Sequence, residues 1–402
     1  MRYIRIILTA WIIYASFYLC RVNYSIALPL INKELGISFT DLGLIVSVFF
    51  ISYSLGQIVN GYLGVKYKPW KLVLMGIIGS SIITILFGLS SNFLILLLLW
   101  LLNGFFQSMG WPSLVKILSL TLDNEEVGKG YGIFNTSWAL GHAISWLFTG
   151  FIIEWYGWRS GFIINGLIFL FIGSVAVSYL IMNDPALRDE YIEKRKERLN
   201  QTSMSRKSLG IVIILALIYL IMYAIRYALA IYLPSYLYSV ERMIASTTFI
   251  ATIFPLSGSL GMLFFGWLFD KLSTYNKAQF ILFSTPFMAL LLFLLPTYYE
   301  YNRSIGIVAL IALSFLLYGL ESQVISTMPV IIVGRKFSSL ATGIIDSAGA
   351  LGGFISSIVS GLIIDLQGFQ QMLNFWSYIQ VLQLLLTLIL MRNVKKLSSS
   401  HA

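Results

Sequence analysis

Cysteine occurs once in this chain of 402 residues, at Cys20, so no internal disulfide can form and cysteine usage says nothing of the redox compartment. Histidine occurs twice, at His142 and His401, which excludes a histidine-rich metal site. There is no Walker sequence, and the glycine-rich "GKGYG" at 128–132 follows no strand pattern, so a nucleotide cradle is excluded. Nowhere do a nucleophile, a base and an orienting group come together. The chain therefore reads as no enzyme, with no cofactor and no metal. Charge is scarce too: 11% of residues are charged, against about 25% in soluble domains, while 58% are hydrophobic. A soluble globular fold is excluded, and a polytopic membrane protein is indicated.

What is present is a series of twelve apolar runs, at 4–31, 40–66, 70–90, 92–120, 128–154, 158–182, 208–238, 244–271, 277–297, 304–333, 338–365 and 369–391. Each reaches the roughly 20 residues needed to cross a bilayer. They are too long and too continuously apolar for barrel strands, so they are helices. The first run is too long for a signal peptide and lacks a small-residue cleavage site, so it reads as the first span. The one long polar connection, 183–207, divides an N-terminal half, 1–182, from a C-terminal half, 208–391, with a tail at 392–402. The predicted fold is an all-α membrane protein with twelve transmembrane helices in two pseudo-symmetric six-helix halves.

The net charge of +10 could suggest nucleic acid, but its distribution excludes that. With the N-terminus placed in the cytoplasm, 20 of the 27 Lys and Arg residues fall on the cytoplasmic side, seven of them in the linker. Only Lys33, Arg159, Arg242 and Arg303 fall outside. This is the positive-inside bias of a membrane protein. It predicts a multi-pass protein of the cell membrane with both termini cytoplasmic. Its partners are a lipid bilayer and a small substrate, not nucleic acid, and the chain reads as a monomer.

The halves repeat one another. "NGYLGVKY" after the second span parallels "FGWLFDKL" after the eighth, and Arg21 and Arg226 are likewise 205 positions apart. In the fifth and eleventh spans "GIFNTSWALG" parallels "GIIDSAGALG", pairing Asn135 with Asp346 and Gly141 with Gly352. Five ionisable residues stand within spans: Arg21, Lys116, Arg226, Glu321 and Asp346. Such residues are expensive in lipid and usually face the bundle interior. Lys116 is close enough to the end of its span to snorkel. A two-fold axis would bring Arg21 and Arg226 to opposite walls of one cavity. Two guanidinium forks suit a dianionic oxyanion, since each can hold two oxygens. The other reading is that each arginine pairs with an acid, Glu321 or Asp346, to hold helices together. Those acids could instead bind substrate hydroxyls or carry a proton. Gln107 and Asn135 are neutral polar groups at cavity depth.

The stretches "FYLCRVNYSIALP" (17–29), "FFQSMGWPSLVK" (105–116) and "IRYALAIYLPSYL" (225–237) resemble the organophosphate:phosphate antiporters of the major facilitator superfamily. That family carries an Arg-x-Asn, a Gly-Trp-Pro and an Arg-Tyr in this order. Here they are Arg21 with Asn23, Gly110-Trp111-Pro112, and Arg226-Tyr227. The resemblance implies the major facilitator fold and exchange of a sugar phosphate or glycerol phosphate for inorganic phosphate by alternating access. It implies that Arg21 and Arg226 grip the phosphate while Tyr14 and Tyr18 line the path. The chain departs from the glycerol-phosphate branch in four places. Val22 stands for a lysine, Gln57 for a second lysine, Trp138 for a histidine and Pro255 for an acid. The candidate substrate-binding residues are Arg21, Arg226, Tyr14, Tyr18, Gln57, Gln107, Asn135, Trp138, Tyr227, Glu321 and Asp346. The rival readings are an organic-carboxylate:proton symporter of the same superfamily, and a sugar-phosphate sensor that does not transport.

Overall fold

The computed structural model describes residues 2–121, 127–183 and 206–398. Most of the predicted linker, 184–205, and the end of the tail with His401 lie outside the described residues. Among the described residues there are helices and no strand. They are α1 (Arg2–Phe17), α2 (Asn23–Leu35), α3 (Phe39–Lys66), α4 (Pro69–Leu89), α5 (Phe93–Gln107), α6 (Gly110–Thr121), α7 (Val127–Asn183), α8 (Arg206–Glu241), α9 (Ile244–Lys271), α10 (Thr274–Tyr301), α11 (Arg303–Ile325), α12 (Thr327–Gln367) and α13 (Phe369–Ser398).

Eleven helical stretches are long and apolar enough to cross a membrane. One of them, Ile133–Asn183, has 51 residues. At about 1.5 Å rise per residue it is more than twice the roughly 30 Å thickness of the hydrocarbon layer. It turns midway at Gly157, whose φ of 78° and ψ of 166° a side chain would resist. The turn separates the predicted fifth and sixth spans, so the stretches supply twelve crossings.

Three spans are broken along their length. The fourth is interrupted between α5 and α6, where Pro112 can neither donate to nor sit comfortably against the carbonyl of Ser108, four residues back. The tenth breaks at Ser326 between α11 and α12, with Pro329 placed to the same effect on Ile325. The first span breaks without a proline at the bend. A 3₁₀ turn, Tyr18–Cys20, separates α1 from α2, and Arg21 adopts φ −122°, ψ −54°.

The helices fall into two compact units. Among the described residues, one holds those up to 183 with Pro234–Thr252, the other 206–233 with those from Ile253 to 398. Pro234–Thr252 joins the first unit through contacts such as the Ala245 N–H, which donates to Glu154 Oε2 at 3.0 Å. Each unit packs its first membrane helix against a later one through a repeat-related glycine. A Cβ on Gly141 of α7 would lie 2.8 Å from Ala15 Cα on α1. A Cβ on Gly352 of α12 would collide with the Leu220 carbonyl oxygen on α8. Ala15 and Leu220 are 205 positions apart, as are the two arginines. The same close approach therefore places both arginine-bearing helices.

Candidate functional site

The first unit builds its site around the break in the first span. Interrupting the helix frees backbone carbonyls, and a carbonyl left unmet in hydrocarbon costs several kcal/mol. Neighbouring side chains meet them. Gln107 Nε2 donates to Phe17 O at 3.1 Å and Asn103 Nδ2 to Cys20 O at 2.8 Å, while Ser145 Oγ and Trp146 Nε1 add to Tyr18 O and Val22 O, at 2.9 and 3.1 Å, which also accept backbone N–H groups. Arg21, at the bend, gives its Nε–H to Gln107 Oε1 at 3.0 Å. Gln107 Nε2 also donates to Ser80 Oγ at 2.8 Å, and Ser80 Oγ donates to Asn103 Oδ1 at 2.6 Å. This network fixes the amide's orientation, because reversing it would set two donors face to face. The Arg21 guanidinium carbon lies 4.9 Å from the ring centres of both Tyr18 and Tyr53, and 6.0 Å from that of Phe49. Rings within about 6 Å attract a cation through their faces.

The second unit holds Arg226 differently. α8 runs unbroken through it. Its Nε–H is shared by the two oxygens of Glu321 on α11, at 2.9 and 2.7 Å, and both side chains are buried. Rings of Tyr223 and Tyr227 each lie 4.5 Å from the guanidinium carbon, and that of Tyr318 lies 5.3 Å away. Tyr223 and Tyr227 are stacked, with centres 4.6 Å apart.

The sequence candidates distribute as follows. Tyr14 and Tyr18 are buried beside Arg21, with ring centres 5.9 Å apart. Gln107 is fully buried, with its amide committed to Arg21 and the bend. Gln57 is half-buried on α3, and Tyr53, one turn earlier, is the residue of that helix whose ring meets Arg21. Trp138 is half-buried and packs on the core around Tyr14, while Asn135 is exposed. His142 is buried between Tyr18 and Trp146, at centre distances of 6.0 and 4.3 Å. Tyr227 and Glu321 meet Arg226 directly, and Asp346 is half-buried on α12.

Sequence reasoning missed Tyr219, Tyr223, Tyr53, Tyr318, Asn103 and Ser80. The first two were within reach. Tyr14, Tyr18 and Arg21 recur as Tyr219, Tyr223 and Arg226, each 205 positions on, so both helices carry the same ladder at spacings that share one face. The others sit on neighbouring helices and had no such signal.

The helical architecture is that of one transporter class. The pattern defining the Major Facilitator Superfamily matches residues 10–357, and the chain belongs to that family. It is accordingly a multi-pass membrane protein of a transporter family and not an enzyme. Within the family its relatives include a "Probable hexose phosphate transport protein" of Chlamydia pneumoniae, 26% identical over 396 residues, covering 91% of this chain and 86% of the relative. The glycerol-3-phosphate transporter of Bacillus subtilis is 25% identical over 380 residues, covering 88% and 84%. The membrane sensor protein UhpC of Escherichia coli is 27% identical over 290 residues, covering 68% and 66%. These relatives bear out the resemblance to the organophosphate:phosphate antiporters. Among solved structures, an inward-facing, unoccupied bacterial homologue of the human lysosomal transporter Spinster matches with a TM-score of 0.82 at 14% identity, covering 98% of each chain, which shows the fold.

Proposed function

We propose that the protein exchanges a small phosphorylated organic anion, a sugar phosphate or glycerol phosphate, for inorganic phosphate by alternating access. Arg21 and Arg226 each supply a guanidinium fork to the phosphate, and the tyrosines beside them line its path. The observation that carries this reading is the repeated ladder. The same tyrosine, tyrosine, arginine spacing stands on the first helix of each half, with aromatic faces on both guanidinium groups. The names of the relatives support the organophosphate class. In this mechanism the phosphate competes with Glu321 for Arg226. An anion bound by both arginines lowers the barrier between the two access states, and without it the like charges oppose the step, which makes exchange obligatory. The reading also sets both termini in the cytoplasm, on the lysine and arginine bias, and has the protein working as a monomer in the cell membrane.

Proteoliposomes test it. Vesicles loaded with inorganic phosphate should take up labelled phosphate or organophosphate without a proton gradient and in the presence of an uncoupler. Vesicles without internal phosphate should take up almost nothing. Uptake into empty vesicles that is lost when the pH gradient collapses would instead establish the carboxylate:proton symporter. The likeness to the sensor UhpC favours a second reading, a sugar-phosphate sensor that does not transport. Ligand binding without counterflow would establish it.

A further inference from the structure

We infer that the first unit holds an anionic phospholipid in a pocket between the start of α1 and the end of α7, with the lipid phosphate on Arg5. Ile6, Thr9 and Leu180 form the buried floor of this pocket, and Arg5, Tyr179 and Asn183 form its exposed rim. Arg5 is the third residue of the membrane stretch Tyr3–Leu35, and Asn183 is the last of Ile133–Asn183. The pocket therefore lies where hydrocarbon gives way to headgroups, on the side of the membrane that holds the N-terminus. The inference needs only the membrane fold and is independent of what is transported.

The surroundings show what covers it. Ile4, Leu8 and Ile12 of α1 are 43–48% exposed, and Val175 and Met182 of α7 are 54% and 70% exposed. Residues four apart share one face of a helix, so α1 turns an apolar face to the acyl chains right beside the pocket. At this level a long basic side chain buries its stem and places its charge among the phosphates. The rim's own backbone acceptors are already met. Thr9 Oγ1 donates to Arg5 O at 2.7 Å, and Asn183 Nδ2 to Tyr179 O at 2.8 Å. What remains is the Arg5 guanidinium, with five N–H donors and no acceptor. Among the described residues it forms no ion pair and no side-chain hydrogen bond, and no acid lines the pocket. A phospholipid fits this order of groups: phosphate on Arg5, glycerol esters over Thr9 and Leu180, chains along Leu8 and Ile12. Basic pockets between membrane helices recognise anionic headgroups in this way. With no carboxylate to meet a choline ammonium, the favoured headgroup carries net negative charge, as in phosphatidylglycerol. Such a lipid also joins α1 to α7, the pair whose close approach at Gly141 places the Arg21 helix.

The test is native mass spectrometry of the purified full chain in detergent, titrated with phosphatidylglycerol or phosphatidylcholine. The native protein should bind phosphatidylglycerol about fivefold more tightly, the size expected of one basic side chain at the membrane surface. Arg5→Gln should remove most of that preference. Thr9→Leu keeps every charge but fills the floor, and should weaken phosphatidylglycerol binding several-fold. Lys71→Gln removes an exposed basic residue that the charge bias assigns to the same side, outside the pocket, and should leave the preference in place. Thermal stabilisation by the same two lipids gives the same ratio and covers a variant whose lipid complexes do not survive the gas phase. A preference that Arg5→Gln leaves intact in both measurements overturns the inference. So does an equal loss in Lys71→Gln, which would mean diffuse surface charge, or full binding in Thr9→Leu. Displacement of phosphatidylglycerol by excess inorganic phosphate would assign the guanidinium to a soluble anion and overturn it as well.

Discussion

Arg21 stands at a break in its helix and gives its Nε–H to a neutral amide, whereas Arg226 stands on an unbroken helix and gives its Nε–H to a carboxylate. Both sit three residues after a tyrosine and seven after another, with aromatic faces close by. The repeat has kept the spacing of the groups and changed what stands behind them. An amide holds a guanidinium without cancelling its charge, while a carboxylate cancels it and must be displaced before an anion gains the full attraction. In the proposed exchange, equal residues at equivalent positions are therefore unequal partners for the anion. The bend adds a second difference. Around Arg21 the supporting side chains also cap freed carbonyls, so geometry and guanidinium are held by one network. Around Arg226 the backbone needs no such help.

The most severe way to break the comparison is to remove the fork from either side. Arg21→Lys and Arg226→Lys keep the charge and lose the bidentate geometry. Each lost charge-assisted hydrogen bond is worth about 1.5–3 kcal/mol, so each variant should insert normally and lose about tenfold to a hundredfold or more of phosphate exchange. Exchange near the native rate in either variant removes that arginine from the site.

Swapping the holders should sharpen it. Glu321→Gln leaves a buried guanidinium without its counter-charge, a loss of about 3–5 kcal/mol when one partner of a buried pair is removed. Its melting temperature in detergent should fall, and added phosphate should restore more of it than in the native protein. Gln107→Glu should do the reverse, weakening phosphate stabilisation by pairing Arg21 internally. Equal phosphate responses in the two variants would mean that the holders do not compete with the anion.

The smallest effects lie in the backbone support. "LLNG" and "LLYG" place Asn103 and Tyr318 at matching positions. Asn103→Ala leaves the Cys20 carbonyl with only the long 3.5 Å contact from Gln107 Nε2 and should cost about 1–3 kcal/mol of stability. Tyr318→Phe removes a hydroxyl beside an unbroken helix and should cost about 1 kcal/mol or less. Thermal melts of the two variants side by side check the order, and a larger loss in Tyr318→Phe would contradict the role assigned to the bend.

Much of this was legible in the sequence. Run lengths fix the spans because the hydrocarbon layer has a fixed thickness. The turn at Gly157 fell in the gap between the predicted fifth and sixth spans, and the break after Ser108 follows from Pro112. The two arginines stood out because an ionised group within a span demands a reason. The tyrosine ladder was present in the same offset and needed only to be read from it.

The tertiary structure decided what holds each charge. Nothing in "FYLCRVN" breaks a helix by itself, since it has neither glycine nor proline. The bend at Arg21 exists where Gln107, Asn103, Ser145 and Trp146, between 82 and 125 positions away, reach its carbonyls. Gln107 is wholly buried and Asn135 exposed, a difference that their shared polarity in the sequence did not carry. Helical periodicity says which residues of one helix share a face, but not which neighbour that face meets. The choice between Glu321 and Asp346 for Arg226 depended on that neighbour, and only the packing of α11 and α12 against α8 could make it.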